Sequence, residues 1–238
     1  MNFQNPPQAG DFENYRVTSA NFSQSILQPL YDSILYPAAG SQLLQFFQSP
    51  QGAGVTTALG AAVGATKTIA DTNMQLAGTL SSGLQFLAEG IDIAFFPGSV
   101  ATASTYTPAT VGFFNATASL ANIAAQFNDP NIFYQAGVVT FSVLTVPYLT
   151  DTPPLKFPPR ACFDLSAAIA SNAAATSFIG GAVLRAGGYP NELNPPIALF
   201  PATSFNVSIT YPAVVAMPSG FNGRAVVTLQ GWTFRAGQ

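Results

Sequence analysis

Apolar and polar residues alternate most cleanly in the last third of the chain. Phe205, Val207, Ile209 and Tyr211 share one parity, and Asn206, Ser208 and Thr210 share the other. That period of two is what a half-buried strand requires. Val227 and Leu229 repeat it against Thr228 and Gln230. Past Gly231 the large residues, Trp232 and Phe234, change parity, so a β-bulge at Gly231 is expected to return them to the buried face. Upstream, Ile91, Ile93 and Phe95 alternate with Asp92, Ala94 and Phe96 until Pro97-Gly98 ends the run. Val138 to Leu149 is almost continuously apolar, which predicts one strand buried on both faces. Leu43-Leu44-Gln45-Phe46-Phe47, closed by Ser49-Pro50, predicts another short strand.

Between these runs the pattern is less regular. Residues 21–37 fit either period, and Pro29 argues against one long helix there. Residues 111–128 place Phe113, Phe114, Leu120, Ile123 and Phe127 at mixed helical spacing, which predicts a short helix packed on a sheet. The Ala-rich stretch 164–178, opened by Asp164 as an N-cap, predicts a second. Gly52 to Thr66 has neither charge nor bulk and reads as a long loop. Residues 1–20, polar and interrupted by Pro6, Pro7 and Gly10, read as an extended N-terminal arm ahead of a single domain over 21–238. Strand follows strand without a βαβ rhythm or a repeat. The expected fold is therefore all-β, an antiparallel sandwich of the single jelly-roll type with a few short helices in the connections. An immunoglobulin-like sandwich fits less well, because the connections are long and the Cys…Trp…Cys spacing is missing.

Composition changes this picture in one respect. Apolar residues make up 48% of the 238 positions, ample for a core, but charged residues make up only 7%. An ordinary soluble protein has about 25%. Charges keep free monomers apart, and charge depletion marks the centres of protein–protein interfaces. The surface expected here, of Ser, Thr, Asn, Gln, Ala and Pro, suits a chain that packs against others. The seven cations are scattered from Arg16 to Arg235, so no basic tract exists to displace counterions from a phosphate backbone. Direct nucleic-acid binding is not expected. Met1 to Pro7 lacks the basic and apolar regions of a signal peptide, and no apolar stretch reaches the 18 residues of a membrane-spanning helix.

Candidate chemistry is sparse. Histidine is absent, which removes the commonest general base near neutral pH together with Ser-His-Asp and Cys-His arrangements. The one cysteine, Cys162, permits no internal disulfide and reads as a small inert thiol. Glu89 and Asp92 lie three apart in a strand, on opposite faces unless a bulge intervenes, so they make no acid–base pair. Asp71, near Asn73 and after Lys67, suits a local cap or ion pair, and Arg160 and Asp164 are spaced to pair across a helix start. No phosphate-binding glycine motif occurs. Neither an enzyme nor a metal or organic cofactor is expected.

Three segments carry a family resemblance. The first is Thr72-Asn73-Met74-Gln75-Leu76-Ala77-Gly78 with Phe86 and the run Ile91 to Gly98. The second is Val143 to Leu149 with Pro153-Pro154 and Phe157-Pro158-Pro159 after it. The third is Ser204 to Pro212, Pro218-Ser219-Gly220 and Arg224 to Gln238. In texture and order they resemble the jelly-roll major capsid proteins of tailless icosahedral bacteriophages, including those with a lipid layer beneath the shell. The resemblance implies a virion location and a self-assembling coat subunit, trimeric or larger. Its partners would be copies of itself and other virion proteins. A minor spike or vertex component, or a secreted carbohydrate- or host-surface-binding sandwich, is the alternative. Phe3, Phe12 and Tyr15 on the arm are the candidate subunit-interface anchors, because an arm without tertiary contacts gains order only by docking elsewhere. Apolar contacts are little screened by salt. Assembly followed by light scattering is therefore expected to change little between low and physiological sodium chloride, and to weaken clearly when residues 1–20 are deleted.

Overall fold

The computed structural model describes residues 22–58, 61–62, 64–98, 105–107, 120–159, 161–172, 175–186 and 190–236. Two antiparallel sheets pack face to face. The first is built on β11 (Gly223–Ala236), which pairs along one side with β4 (Leu84–Phe96). Along its other side β1 (Phe22–Leu27) and β2 (Leu30–Tyr36) lie end to end. β9 (Asn191–Leu199) completes this sheet beside β4. The second sheet runs β3 (Ser41–Phe46), β10 (Phe205–Val215), β5 (Val138–Val143) and β6 (Val146–Asp151). A long hairpin of β7 (Ala161–Asn172) and β8 (Ala175–Ala186) stands apart as a two-stranded ribbon between β6 and β9. One helix, α1 (Leu120–Gln135), lies between β4 and β5, and a single 3-10 turn covers Pro154–Lys156. The fold is thus the all-β antiparallel sandwich that the alternation implies.

The inward parity of each strand fills the space between the sheets. Tyr36, Ile91, Ile93, Phe95, Val227 and Leu229 come from the first sheet, and Phe46, Val139, Phe141, Val207, Ile209 and Tyr211 from the second. The helix contributes Phe133, which is fully buried. Its ring stacks on Phe95 at 4.5 Å and meets Tyr36 edge-on at 5.9 Å. Tyr36 in turn meets Tyr211 edge-on at 6.2 Å across the two sheets. Burying one such ring contributes about 1.5–3 kcal/mol, and each aromatic pair about 0.5–1.5 kcal/mol more. The polar ends of these rings are satisfied. Tyr36 donates to the Val215 carbonyl at 2.5 Å, Tyr211 to that of Phe133 at 3.3 Å, and Tyr134 accepts the Phe95 N–H at 2.8 Å.

Several expectations need correction. Val138 to Leu149 is two strands: Leu144 and Thr145 turn the chain, and β6 lies on the sheet edge with Val146, Pro147 and Tyr148 exposed. Residues 164–178 form no helix but lie mostly in the β7–β8 hairpin, where unbroken ladder pairing overrides their alanine content. The only helix described falls at Leu120–Gln135, offset from the expected 111–128, whose first nine residues lie outside the described set.

The bulge beside Gly231 is real but belongs to the partner strand. Gln230 pairs with Gly90 and Gly231 with Ala88, so Glu89 is the extra residue, on β4. β11 keeps its parity, and Trp232 and Phe234 stay on the outer face. There they form a small separate cluster with Leu87 and half-buried Ala198. Both side chains are buried, as expected, but in this outer cluster and not in the core between the sheets. At Gly231 the β4 backbone comes so close that a Cβ would stand 1.9 Å from the Leu87 carbonyl oxygen. Gly231→Ala should lower stability by at least about 1–3 kcal/mol, as overpacking does, and Trp232→Ala by about 3 kcal/mol. Urea midpoints measured at constant slope check both.

Candidate assembly surface

A chain with few charged residues has sent most of those described inside. Asp32, Lys67, Asp71, Glu89, Asp92 and Asp129 are all buried. Asp32 projects from β2, and its Oδ1 meets Lys67 Nζ at 2.6 Å while its Oδ2 accepts the Phe47 N–H at 2.6 Å. Burial pushes the Asp32 carboxyl up, and Lys67 pulls against that rise. Asp71 sits in a cage of threonines. It accepts Thr57 N–H and Oγ1 at 2.7 and 2.8 Å, Thr56 Oγ1 at 2.5 Å and Thr68 N–H at 3.0 Å. Burial pushes this carboxyl up too, but the hydrogen bonds from Thr56, Thr68 and Thr57 together outweigh it and hold the pKa at about 2. Lys67 thus pairs with Asp32 across the sheet edge rather than with its near neighbour Asp71.

These contacts fasten the connection between β3 and β4 along the edge of the first sheet. Ser33 N–H donates to the Asp71 carbonyl at 2.9 Å, Tyr31 N–H to Asn73 Oδ1 at 3.1 Å, and Asn73 Nδ2 to the Pro29 carbonyl at 2.8 Å. The outward backbone of β2 is therefore covered, as an edge strand must be to resist uncontrolled pairing. The opposite edge, β9, carries Pro195 and Pro196, which cannot donate to a further ladder.

Four further described carboxylates have local roles. Asp129 on α1 accepts Ser219 N–H and Oγ at 3.0 and 2.5 Å, tying the helix to the turn before β11. Asp92 accepts Gln230 Nε2 at 2.8 Å, and Glu89 is hydrogen-bonded by Trp232. The bulge that would bring Glu89 and Asp92 into one neighbourhood exists, yet each carboxylate has its own donor. Asp151 and Lys156 pair with each other at 2.7 Å on the surface. Among the described residues no group of three or more His, Cys, Asp or Glu gathers to hold a metal ion. Arg160 and the side chain of Asp164 lie outside the described set.

Among the described residues few charges reach the outside: Asp151 and Lys156, Glu192, Arg224 and Arg235. By register, Gln45, Ser208, Thr140 and Thr150 stand side by side across the outer face of the second sheet, and Asn206 stands beside Ser142. Apolar side chains break through singly at Ile69 and Val214 and most densely in sequence at the β5–β6 hairpin: Leu144 is 64% exposed, Val146 55% and Tyr148 61%, with Leu155 just beyond at 61%. The expected anchors Phe3, Phe12 and Tyr15 lie outside the described residues. The hairpin residues escaped the sequence reading because their run is uniformly apolar. Pro147 inside that run was the available signal, since proline demotes a strand to an edge.

Comparison with protein-family models, with curated proteins and with solved structures finds no match.

Removing the Lys67 ammonium should strand a buried carboxylate. Lys67→Met should cost about 3–5 kcal/mol, measured by urea denaturation. Asp71 has its folded pKa depressed, so its stabilising contribution is full above the unfolded value near 4 and is lost as pH falls toward about 2. The stability gap between wild type and Asp71→Asn should therefore shrink across that interval.

Proposed function

We propose that this chain is a structural, non-catalytic subunit that assembles with copies of itself into a shell, the coat of a tailless icosahedral virus. The observation that carries the reading is the placement of charge. Among the described residues more of the charged side chains lie inside the domain than on its surface, and the outer face of the second sheet carries mainly hydroxyls and amides. Such a surface meets its own copies without like-charge repulsion, and a permanent monomer would have little to keep it in solution.

Strand order supports a jelly-roll reading. If β2, β3, β4, β5, β6, β9, β10 and β11 are counted one to eight, the sheets run 1-8-3-6 and 2-7-4-5. The chain crosses between sheets at every step except the β5–β6 hairpin and, by way of β7–β8, the route to β9 ends on the first sheet. Two interleaved four-stranded sheets of this kind are the arrangement used in many viral shells. The β7–β8 ribbon and α1 are then insertions into two of the connections. Electron micrographs of the purified full-length chain should show closed particles of uniform size. A field of isolated subunits at high protein concentration would overturn the proposal.

A further inference from the structure

The hairpin of β5 and β6 combines four features that a surface facing only water would not be expected to combine. Leu144 at its tip holds a positive φ of 55°, in the left-handed region that a glycine occupies without strain. The backbone is fixed there by a hydrogen bond from the Leu144 N–H to the Ser204 carbonyl at 2.7 Å. The Leu144 side chain nonetheless projects into solvent, 64% exposed, with Val146 and Tyr148 beside it in sequence and Leu155 after the strand. Summed, these side chains leave on the order of 400–500 Å² in water, within the range of the largest apolar patch on a monomer, which is often functional. That is more than half of the roughly 800 Å² that one partner contributes to a standard interface.

We propose that this edge, formed by Leu144, Val146, Tyr148 and Leu155, is a contact surface for the same edge of a second copy. The inference rests on the self-assembly reading and names the place where it acts. Charge selects the occupant. The ionic groups at this edge, Asp151 and Lys156, already neutralise each other at 2.7 Å, so two copies bring no unpaired like charges together. An apolar patch is complementary to itself, which suits a twofold contact. Pro147 lacks an N–H and blunts strand addition, so the contact is made by side chains and not by extending the sheet. A shell subunit needs several different contacts, and this is one of them.

Sedimentation velocity of the full chain over a concentration series tests it, alongside thermal melting. Tyr148→Glu should weaken association at least tenfold and leave the melting temperature unchanged. Leu144→Gly separates contact from folding: it relieves the positive φ and removes the exposed side chain, so it should raise the melting temperature while weakening association several-fold. A more stable variant that associates less cannot be explained by misfolding. If both variants associate as the wild type does, this edge is not the contact, and the self-assembly reading stands without it. If the wild type stays monomeric throughout, both fall together. If Leu144→Gly lowers the melting temperature, the argument from backbone strain is overturned.

Discussion

The pairing of β11 with β4 is the constraint on which the rest of the domain depends. β11 is the longest strand described, its residues Arg224 to Arg235 pair with β4 from Phe96 back to Leu84, and its other side holds both β1 and β2. The Glu89 bulge divides this pairing into two stretches. Above it, Ile91, Ile93 and Phe95 face the core with Val227 and Leu229; below it, the inward set of β4 switches to Ala88 and Phe86. The switch leaves Leu87 facing outward beside Trp232, which creates the second apolar patch, and it demands a residue without a side chain at Gly231. One inserted residue thus sets the core register, the outer cluster and the placement of a glycine.

A second constraint follows from scarcity of charge. Buried ion pairs contribute little net stability, because desolvation offsets their attraction, but breaking one is costly. The Asp32–Lys67 pair and the Asp71 cage act in that way: they make one position of the β3–β4 connection far better than any other, and so close the edge at β2. With that edge covered and β9 and β6 interrupted by prolines, open-ended sheet growth is disfavoured. What remains for association is side-chain contact between neutral surfaces. That combination, a covered β2, prolines on β9 and β6 and an exterior poor in charge, disfavours fibrous aggregation.

The sequence made most of the sandwich legible wherever one face meets water and the other the core. Phe205 to Tyr211 and Ile91 to Phe95 could be read directly, because their alternation records burial on one side. Legibility failed where alternation carries no such record. Val138 to Leu149 is apolar on both parities, which conceals the turn at Leu144 and the exposure of β6. The alanines of β7 and β8 favour a helix locally, and ladder pairing outweighs that preference. Lys67 and Asp32, thirty-five positions apart, meet through a chain reversal that no local spacing records. The absence of histidine was plain from the sequence; the internal destination of the carboxylates was not.

We propose that the domain's exterior, poor in charge among the described residues, meets copies of itself. Mass photometry or multi-angle light scattering of the intact 24.8 kDa chain over a wide concentration range tests it most directly. The account predicts a mass that climbs with concentration to a discrete, high plateau, as closed assemblies require. A single species of monomer mass at every concentration would contradict it.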